Sequence, residues 1–423
     1  MKIMSSFIEN LKVIIPVGGE AKRLKPLTTE VSKAIVRLCL RPIVEIAMIT
    51  LAKQGVRTFI FGVKGYVNYK SLHDYFKEGI GISARYGINP RMHIKYMPRI
   101  EDVGNADSVR IIMNYYDIED SIVGVQGDNI FDIDLADFVR FHEKKKALMT
   151  IGLTSVENVE DYGIAALDKD FGIKRFVEKP KRKDAPSNLA NSGIYMMSPK
   201  IREIFKLDEV KRMVEEKKRL DFGMDLIPFL IDSGYPVYGY VLKGEWYDVG
   251  TPKRYLDAMT QILRTGGKSL NFQGRLSIDG QVWIQGESPE SVLRRNEIIK
   301  KMKEGKITFE GAVLIGRHCS IGDGVKIKDS CIDNFAIIGE GAIIEKSTVM
   351  DRSIVGRNAE IRDSIVGRHV VINSSLEHPT LVSGVSVIGD DVSIGEGCEI
   401  IATKIYPHKT IPAMRRMVNE VLE

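Results

Sequence analysis

From Ile315 onward aromatic residues nearly vanish, and aliphatic residues recur at Ile315, Ile321, Ile327, Ile332, Ile338, Ile344, Met350, Val355, Ile361, Val366 and Ile372, then Ile388, Ile394 and Ile400. The step is six residues, shortened to five after Ile327, Met350 and Ile361. Glycine follows the aliphatic position at 316, 322, 339, 356, 367, 389 and 395. A helix would lose about 1 kcal/mol at each such glycine. A period of six instead predicts a parallel β-helix, in which each repeat forms one short face of a coil and stacks its aliphatic residue on the equivalent one a turn away.

The repeat breaks once, between Ser374 and Gly384, where His378-Pro379 predicts a loop off the coil. Ahead of it, Ser288-Pro289 opens an apolar-periodic stretch that runs to Met302 and stops at Gly305. That is a helix with Ser as N-cap, Pro at the first position and Gly past the end. Pro412 to Glu423 is expected to form a short terminal helix over the open end of the coil.

The first half reads differently. Val13-Ile14-Ile15-Pro16-Val17 is a buried strand that opens into Gly18-Gly19 and then Lys22, Arg23 and Lys25, with Lys33 ten residues after Arg23. Paired glycines let backbone N–H groups approach a phosphate, and the cations meet the oxygens that those groups miss. A basic surface turn is the plain alternative. Next come a helix over Ile43 to Gln54, strands at Thr58–Val63, His93–Met97 and Ser121–Gln126, and helices at Tyr66–Lys77 and Ala106–Tyr116. Alternation of this kind implies a mostly parallel Rossmann-like α/β sheet whose ligands gather at the carboxyl ends of its strands. Two aspartates stand out, Asp128 after the strand ending in Gly127 and Asp248 in a turn far downstream. Beside a triphosphate, two carboxylates could hold Mg²⁺, an ion that prefers oxygen ligands. The expected division is residues 1–265 as the α/β domain, 266–310 as a linker with a helix, and 311–423 as the coil with its terminal helix.

Charge and cysteines narrow the partners. Basic residues exceed acidic ones only by 61 to 56, and no Lys/Arg block is interleaved with aromatics, so nucleic acid has no support and small anions fit better. Cys39, Cys319, Cys331 and Cys398 lack C-x-x-C spacing, which argues against zinc or disulfides and for a reducing compartment. Met1 to Lys12 lacks the apolar core of a signal peptide, and no apolar run approaches eighteen residues, so a cytoplasmic protein without membrane attachment is expected.

Gly18 to Arg23, Pro26-Leu27-Thr28 and Lys33 resemble the signature loop of the sugar-1-phosphate nucleotidyltransferases, or nucleotide-sugar pyrophosphorylases, with Ala21-Lys22 in place of Gly-Thr. Further likenesses follow in order: Gly104-Asn105-Ala106-Asp107-Ser108, Gly127-Asp128, Asp161-Tyr162-Gly163, Phe176-Val177-Glu178-Lys179-Pro180, Asn191-Ser192-Gly193-Ile194-Tyr195 and Trp246 to Pro252. The resemblance implies a role for each. Gly18, Gly19, Arg23 and Lys33 would hold a nucleoside triphosphate, Gly104 and Asp107 the nucleoside, and Asp128 and Asp248 the Mg²⁺. Lys179 would bind the phosphate of a sugar-1-phosphate, with Gly163, Glu178 and Asn191 on the sugar. Catalysis would fall to Arg23, Lys33, Asp128, Lys179 and Asp248.

The coil resembles the left-handed β-helix domains that several of these enzymes carry, where its common role is to pack subunits into a homo-oligomer. In coil length and order the likeness is to mannose-1-phosphate guanylyltransferases, whereas the Gly104–Ser108 segment is nearer the glucose-1-phosphate adenylyl-, thymidylyl- or uridylyltransferases. Two other readings stay open: a non-catalytic regulatory subunit, to which Ala21 and Lys22 point, and a coil-borne acetyltransferase using His318, His369 or His378.

Overall fold

The apolar run after Lys12 forms the strand Lys12–Val17, with Val13, Ile14 and Ile15 buried. In the computed structural model, which describes residues 2–19, 21–98, 101–266, 275–276 and 281–423, this strand lies between parallel neighbours Thr58–Val63 and Ile122–Val125. His93–Pro98 extends the parallel set beyond Thr58–Val63. A strand with both neighbours parallel needs helices on its faces, and Ile43–Ala52, Tyr66–Phe76 and Asn105–Tyr115 supply them. On the other side Leu189–Met197 runs antiparallel to Ile122–Val125, Met149–Ser155 and Gly163–Leu167. The sheet is therefore parallel at the strands that open into the predicted loops and mixed beyond them.

Contacts divide the chain into two units, Met1–Gly19 with Ile43–Tyr247, and Glu20–Pro42 with Asp248–Glu423. Glu20 of the glycine loop, and residues 267–274 and 277–280 of the expected linker, lie outside the described residues. The helix expected after Ser288 is present as Pro289–Lys303, with Ser288 Oγ accepting from Ser291 N at 3.3 Å.

The second unit contains a parallel β-helix. Three ladders of short parallel strands climb it, and their inward residues form continuous columns: Ile315, Ile332, Val349, Val366, Ile388 and Ile405 in one, Ile321, Ile338, Val355, Ile372, Ile394 and Ile411 in a second, and Ile327, Ile344, Ile361, Val382, Ile400 and Met417 in the third. None of these side chains is more than 3% exposed. Burying an aliphatic side chain contributes about 1.5–3 kcal/mol, so the columns dominate the stability of this unit.

Three expectations need correcting. The column residue is Val349, not Met350, because Val349 lies in register with Ile332 and Val366. The terminal segment is not a helix. Arg416–Val418 and Val421–Leu422 are strands that continue two of the ladders, since Met417 pairs with Ile400 inside the coil and Arg416 pairs with Glu399 at 2.9 Å outside it. The excursion that starts at Ser374 ends sooner than expected, as Leu381–Ser383 is already back in a ladder.

One corner of the coil repeats a left-handed backbone without glycine, at His318, Phe335, Arg352, His369, Asp391 and His408, with φ between 56° and 62°. Contacts with the next turn offset the strain. The His318 ring stacks on Phe335 at 4.8 Å, Arg352 lies 5.0 Å over the same ring, and His369 Nδ1 is 3.3 Å from Asp391.

Candidate active site

In the first unit the site forms where strands end. Gly18 and Gly19 follow Lys12–Val17 and are exposed. A Cβ on Gly18 would lie 2.9 Å from Lys64 Cβ, whereas one on Gly19 would meet nothing within 4 Å. Lys64 is thus a cation beside the glycine pair that its own sequence context does not advertise. Its Nζ donates to Asp102 O at 2.8 Å.

Gly104 has a packing reason to be glycine, because a Cβ would stand 2.3 Å from the Leu220 carbonyl oxygen. Asp107, expected at the nucleoside, is 1% exposed, and its carboxylate accepts from Val103 N at 3.1 Å and Arg110 Nε at 2.7 Å. It shapes the loop that carries Gly104 and points inward. Asn105, where the resembling motif has threonine, accepts from Phe222 N at 2.8 Å and ties that loop to the segment after Leu220.

The residues expected around a sugar phosphate do come together. Glu178 ends the strand Ile173–Glu178, and its Oε2 occupies a slot that side chains at Gly163 or Gly223 would fill, with hypothetical Cβ atoms at 2.6 and 2.2 Å. Lys179 Nζ is 3.9 Å from Glu178 and exposed. Burial, helped by the nearby Asp221, pushes the Glu178 carboxyl above its ordinary value against the pull of Lys179. Asp221 in turn accepts from Gly223 N at 2.9 Å and Met224 N at 3.3 Å, capping a single π-turn over Phe222–Leu226.

Below these groups lies Tyr195, fully buried and stacked on Phe222 at 4.4 Å. Its hydroxyl accepts from Asn191 Nδ2 at 2.8 Å and Gln126 Nε2 at 3.2 Å. Asn191 Oδ1 accepts from Gly193 N at 3.0 Å, which fixes the amide. Burial first, and then the charges of Asp221, Glu178 and Asp128, raise the Tyr195 phenol well above its ordinary value. Asp128, half-buried after Gly127, therefore lies within electrostatic reach of the same hydroxyl as the sugar-side carboxylates. Asp221, Gln126 and Tyr195 were not singled out from sequence as site residues, and only Tyr195 fell inside a quoted motif.

The remaining expected residues lie in the second unit. Ala21 holds a left-handed backbone, φ 46° and ψ 41°, and leads into a turn at Lys22–Leu24 that presents Arg23. Thr28 Oγ1 donates to Ala21 O at 3.1 Å and closes this loop. Lys33 opens a second short turn, Lys33–Ile35. Around Gly250 two expected partners meet: a Cβ there would lie 3.0 Å from Asp248 Oδ1 and 3.3 Å from Arg23 Nη2. Asp248 also takes Arg254 Nη1 on Oδ2 at 2.6 Å.

Among the described residues no group of three or more His, Cys, Asp or Glu could hold a metal. Half-buried carboxylates such as Asp128 and Asp248 suit Mg²⁺, which takes one or two carboxylates and otherwise phosphate oxygens and water. Two of the three histidines considered for acyl transfer are occupied: His318 Nε2 is 2.9 Å from Ser291 Oγ, and His369 Nδ1 is 3.3 Å from Asp391 Oδ1.

Residues 12–265 match the model for nucleotidyl transferases, and residues 309–420 match the GMPPB C-terminal domain. The chain is 28% identical over 354 residues to UTP–glucose-1-phosphate uridylyltransferase of Synechocystis sp., covering 77% of this chain and 84% of that protein. It is 26% identical over 415 residues to the mannose-1-phosphate guanylyltransferase catalytic subunit beta of Danio rerio, covering 95% and 97%. Among solved structures, UDP-glucose pyrophosphorylase with UDP-glucose superposes with a TM-score of 0.51 at 20% identity, covering 60% of this chain and 99% of that one, a likeness of fold. With its family model spanning the whole α/β half, the chain belongs to the nucleotidyl transferase family.

Proposed function

We propose that this chain joins a nucleoside triphosphate to a sugar-1-phosphate, with GTP and mannose-1-phosphate as the favoured pair. The observation that carries the reading is the Glu178 slot between Gly163 and Gly223, with exposed Lys179 at its mouth and the Tyr195 hydroxyl below. Fixed carboxylates and an amide around one hydroxyl suit a polyol, and a lysine at the rim suits its phosphate. The guanylyl and mannose preference is supported by the Danio rerio relative, which matches along the coil as well as the α/β half, and by the coil's own family match. UTP with glucose-1-phosphate is the second pair to test, because of the Synechocystis relative.

A phosphate oxygen of the sugar-1-phosphate forms a bond to the α-phosphorus, the bond from that phosphorus to the bridging oxygen breaks, and pyrophosphate leaves with the electron pair. No covalent intermediate on the protein is needed. Catalysis is positioning and charge neutralisation. Backbone N–H groups of Gly18 and Gly19 and the side chains of Arg23 and Lys33 receive the triphosphate, and Lys179 aligns the attacking phosphate. Asp128 and Asp248 would hold Mg²⁺, which when bound offsets charge on the transferring group.

Copies of the chain associate through the coil in this reading. Ile337 and Ile354, 47% and 40% exposed, are neighbours on one outer ladder, and light scattering would report the mass. Four buried free cysteines suit a reducing compartment such as the cytoplasm. The deciding experiment is pyrophosphate release by the purified chain with Mg²⁺, across four triphosphates and a panel of sugar-1-phosphates. GTP with mannose-1-phosphate is expected to give the highest kcat/KM, and no release from any pair would overturn the activity.

A further inference from the structure

The stretch from residue 21 to 42 carries Arg23 and Lys33, yet it belongs to the unit of the coil. Arg37 is one of the side chains that fasten it there. Arg37 meets Asp333 with two parallel bonds, Nε to Oδ2 at 2.5 Å and Nη2 to Oδ1 at 2.8 Å, and Nη2 also donates to Leu40 O at 2.6 Å. Asp333 directly follows the coil strand Cys331–Ile332, and its side chain is 3% exposed. The Arg37 carbonyl accepts from the Tyr255 hydroxyl at 2.5 Å. Tyr255 lies on the helix Pro252–Arg264, which begins just after Asp248 and is fastened to the coil by Arg264 to Asp329 at 3.1 Å. At the exposed rim Glu30 pairs with His408 at 2.7 Å.

Removing a charged pair from water costs several kcal/mol, so a buried Arg–Asp fork adds little net stability where apolar packing would serve as well. What it adds is fixed geometry, because a planar guanidinium holds a carboxylate in one orientation. Here that orientation relates the cation-bearing segment, the helix behind Asp248 and one turn of the coil.

We propose that Arg37 and Asp333 are positioning residues that clamp the Arg23–Lys33 segment to the coil wall, so that Arg23, Lys33 and Asp248 share one rigid base. The inference rests on the reading of those three residues as the triphosphate and metal side of the site. It makes the coil part of the catalytic scaffold.

The test compares full-length Asp333→Asn and Arg37→Lys with the unaltered chain by hydrogen exchange and steady-state kinetics. Exchange of amides 21–42 should quicken in both variants. Turnover should fall by about 100-fold, the scale of a displacement of about 1 Å in a catalytic group. The KM for the sugar phosphate, whose residues lie in the other unit, should stay within about twofold, since binding in that unit is untouched. A role in stability alone would lower the yield of folded protein and leave kcat per folded molecule unchanged, which would overturn the proposal, as would unaltered exchange in 21–42. If Asp333→Asn does not fold, Arg37→Lys keeps the charge and carries the same comparison. If the unaltered chain releases no pyrophosphate, the proposed function fails, and the clamp is then decided by the exchange of 21–42.

Discussion

Arg254 Nη1 lies 2.6 Å from Asp248 Oδ2. The aspartate proposed for the metal is therefore held by a guanidinium on the first turn of the next helix. Replacing Asp248 or Asp128 with Asn should lower turnover by about 1,000-fold at saturating Mg²⁺, on the several-kcal/mol scale of metal charge stabilisation. Arg254→Gln, which removes the support and keeps the carboxylate, should lose about tenfold, the equivalent of one hydrogen bond to a charged group. Pyrophosphate release with Mg²⁺ titration checks all three, and equal losses in Asp248→Asn and Arg254→Gln would contradict the division of roles.

Gly163 and Glu178 give a prediction that separates the two substrates. A methyl group at 163 would stand 2.4 Å from Phe176 Cζ and 2.6 Å from Glu178 Oε2. Gly163→Ala must displace the Phe176 ring and Glu178 together, and we expect the KM for the sugar phosphate to rise by about tenfold with the triphosphate KM unchanged, a pattern of lost ground-state binding. A rise in both constants would place Glu178 elsewhere in the reaction.

Ala21 holds a backbone that costs an L-residue about 1–2 kcal/mol. Glycine would relieve that strain and also loosen the unfolded chain, and the two effects nearly cancel. Ala21→Gly should thus melt within a few degrees of the unaltered chain and keep its activity, whereas Ala21→Val should lose more than about 1 kcal/mol because a β-branched residue tolerates positive φ poorly. Thermal melts and the release assay on the two variants decide the matter.

His142 gives a pH signature. It is 2% exposed, its Nδ1 lies 2.8 Å from Thr150 Oγ1, and its buried Nε2 has no hydrogen-bond partner. Burial pushes the imidazole down to about 4 from its ordinary 6.5. The folded chain therefore keeps His142 neutral where the unfolded chain would bind a proton. Its contribution is whole above pH 6.5 and is lost as the pH falls toward 4. Between pH 7 and 5 the loss should be about 2 kcal/mol by linkage. Urea unfolding of His142→Gln should show a correspondingly shallower fall over that range, and parallel curves would refute the assignment.

The coil was legible because its aliphatic period repeats too often to be read as anything else. Its last turn was not, since Pro412, Arg415, Arg416 and Glu420 hide a strand whose single inward anchor is Met417. The slip from Val349 to Met350 has a similar cause: two adjacent apolar residues fit one period equally well, and only the register with Ile332 and Val366 chooses between them. In the site, Glu178, Lys179, Gly163 and Asn191 stood in motifs. Asp221 did not, because its part in the pocket depends on a π-turn that brings it beside a strand far earlier in the chain. Asp107 stood in a motif and turned inward, since a carboxylate at a helix start finds backbone N–H groups before it finds a ligand. The link from Arg37 to Asp333 spans 296 positions, and no local pattern could announce it.

That link bears on how such proteins can be recombined. A chimera spliced near residue 265 would transplant the α/β half without the surface on which residues 21–42 rest, and grafting a foreign coil would set Arg37 against an unmatched wall. Builders of hybrid enzymes on this scaffold must carry the short early segment and its distant aspartate as one cassette, although the chain writes them at opposite ends.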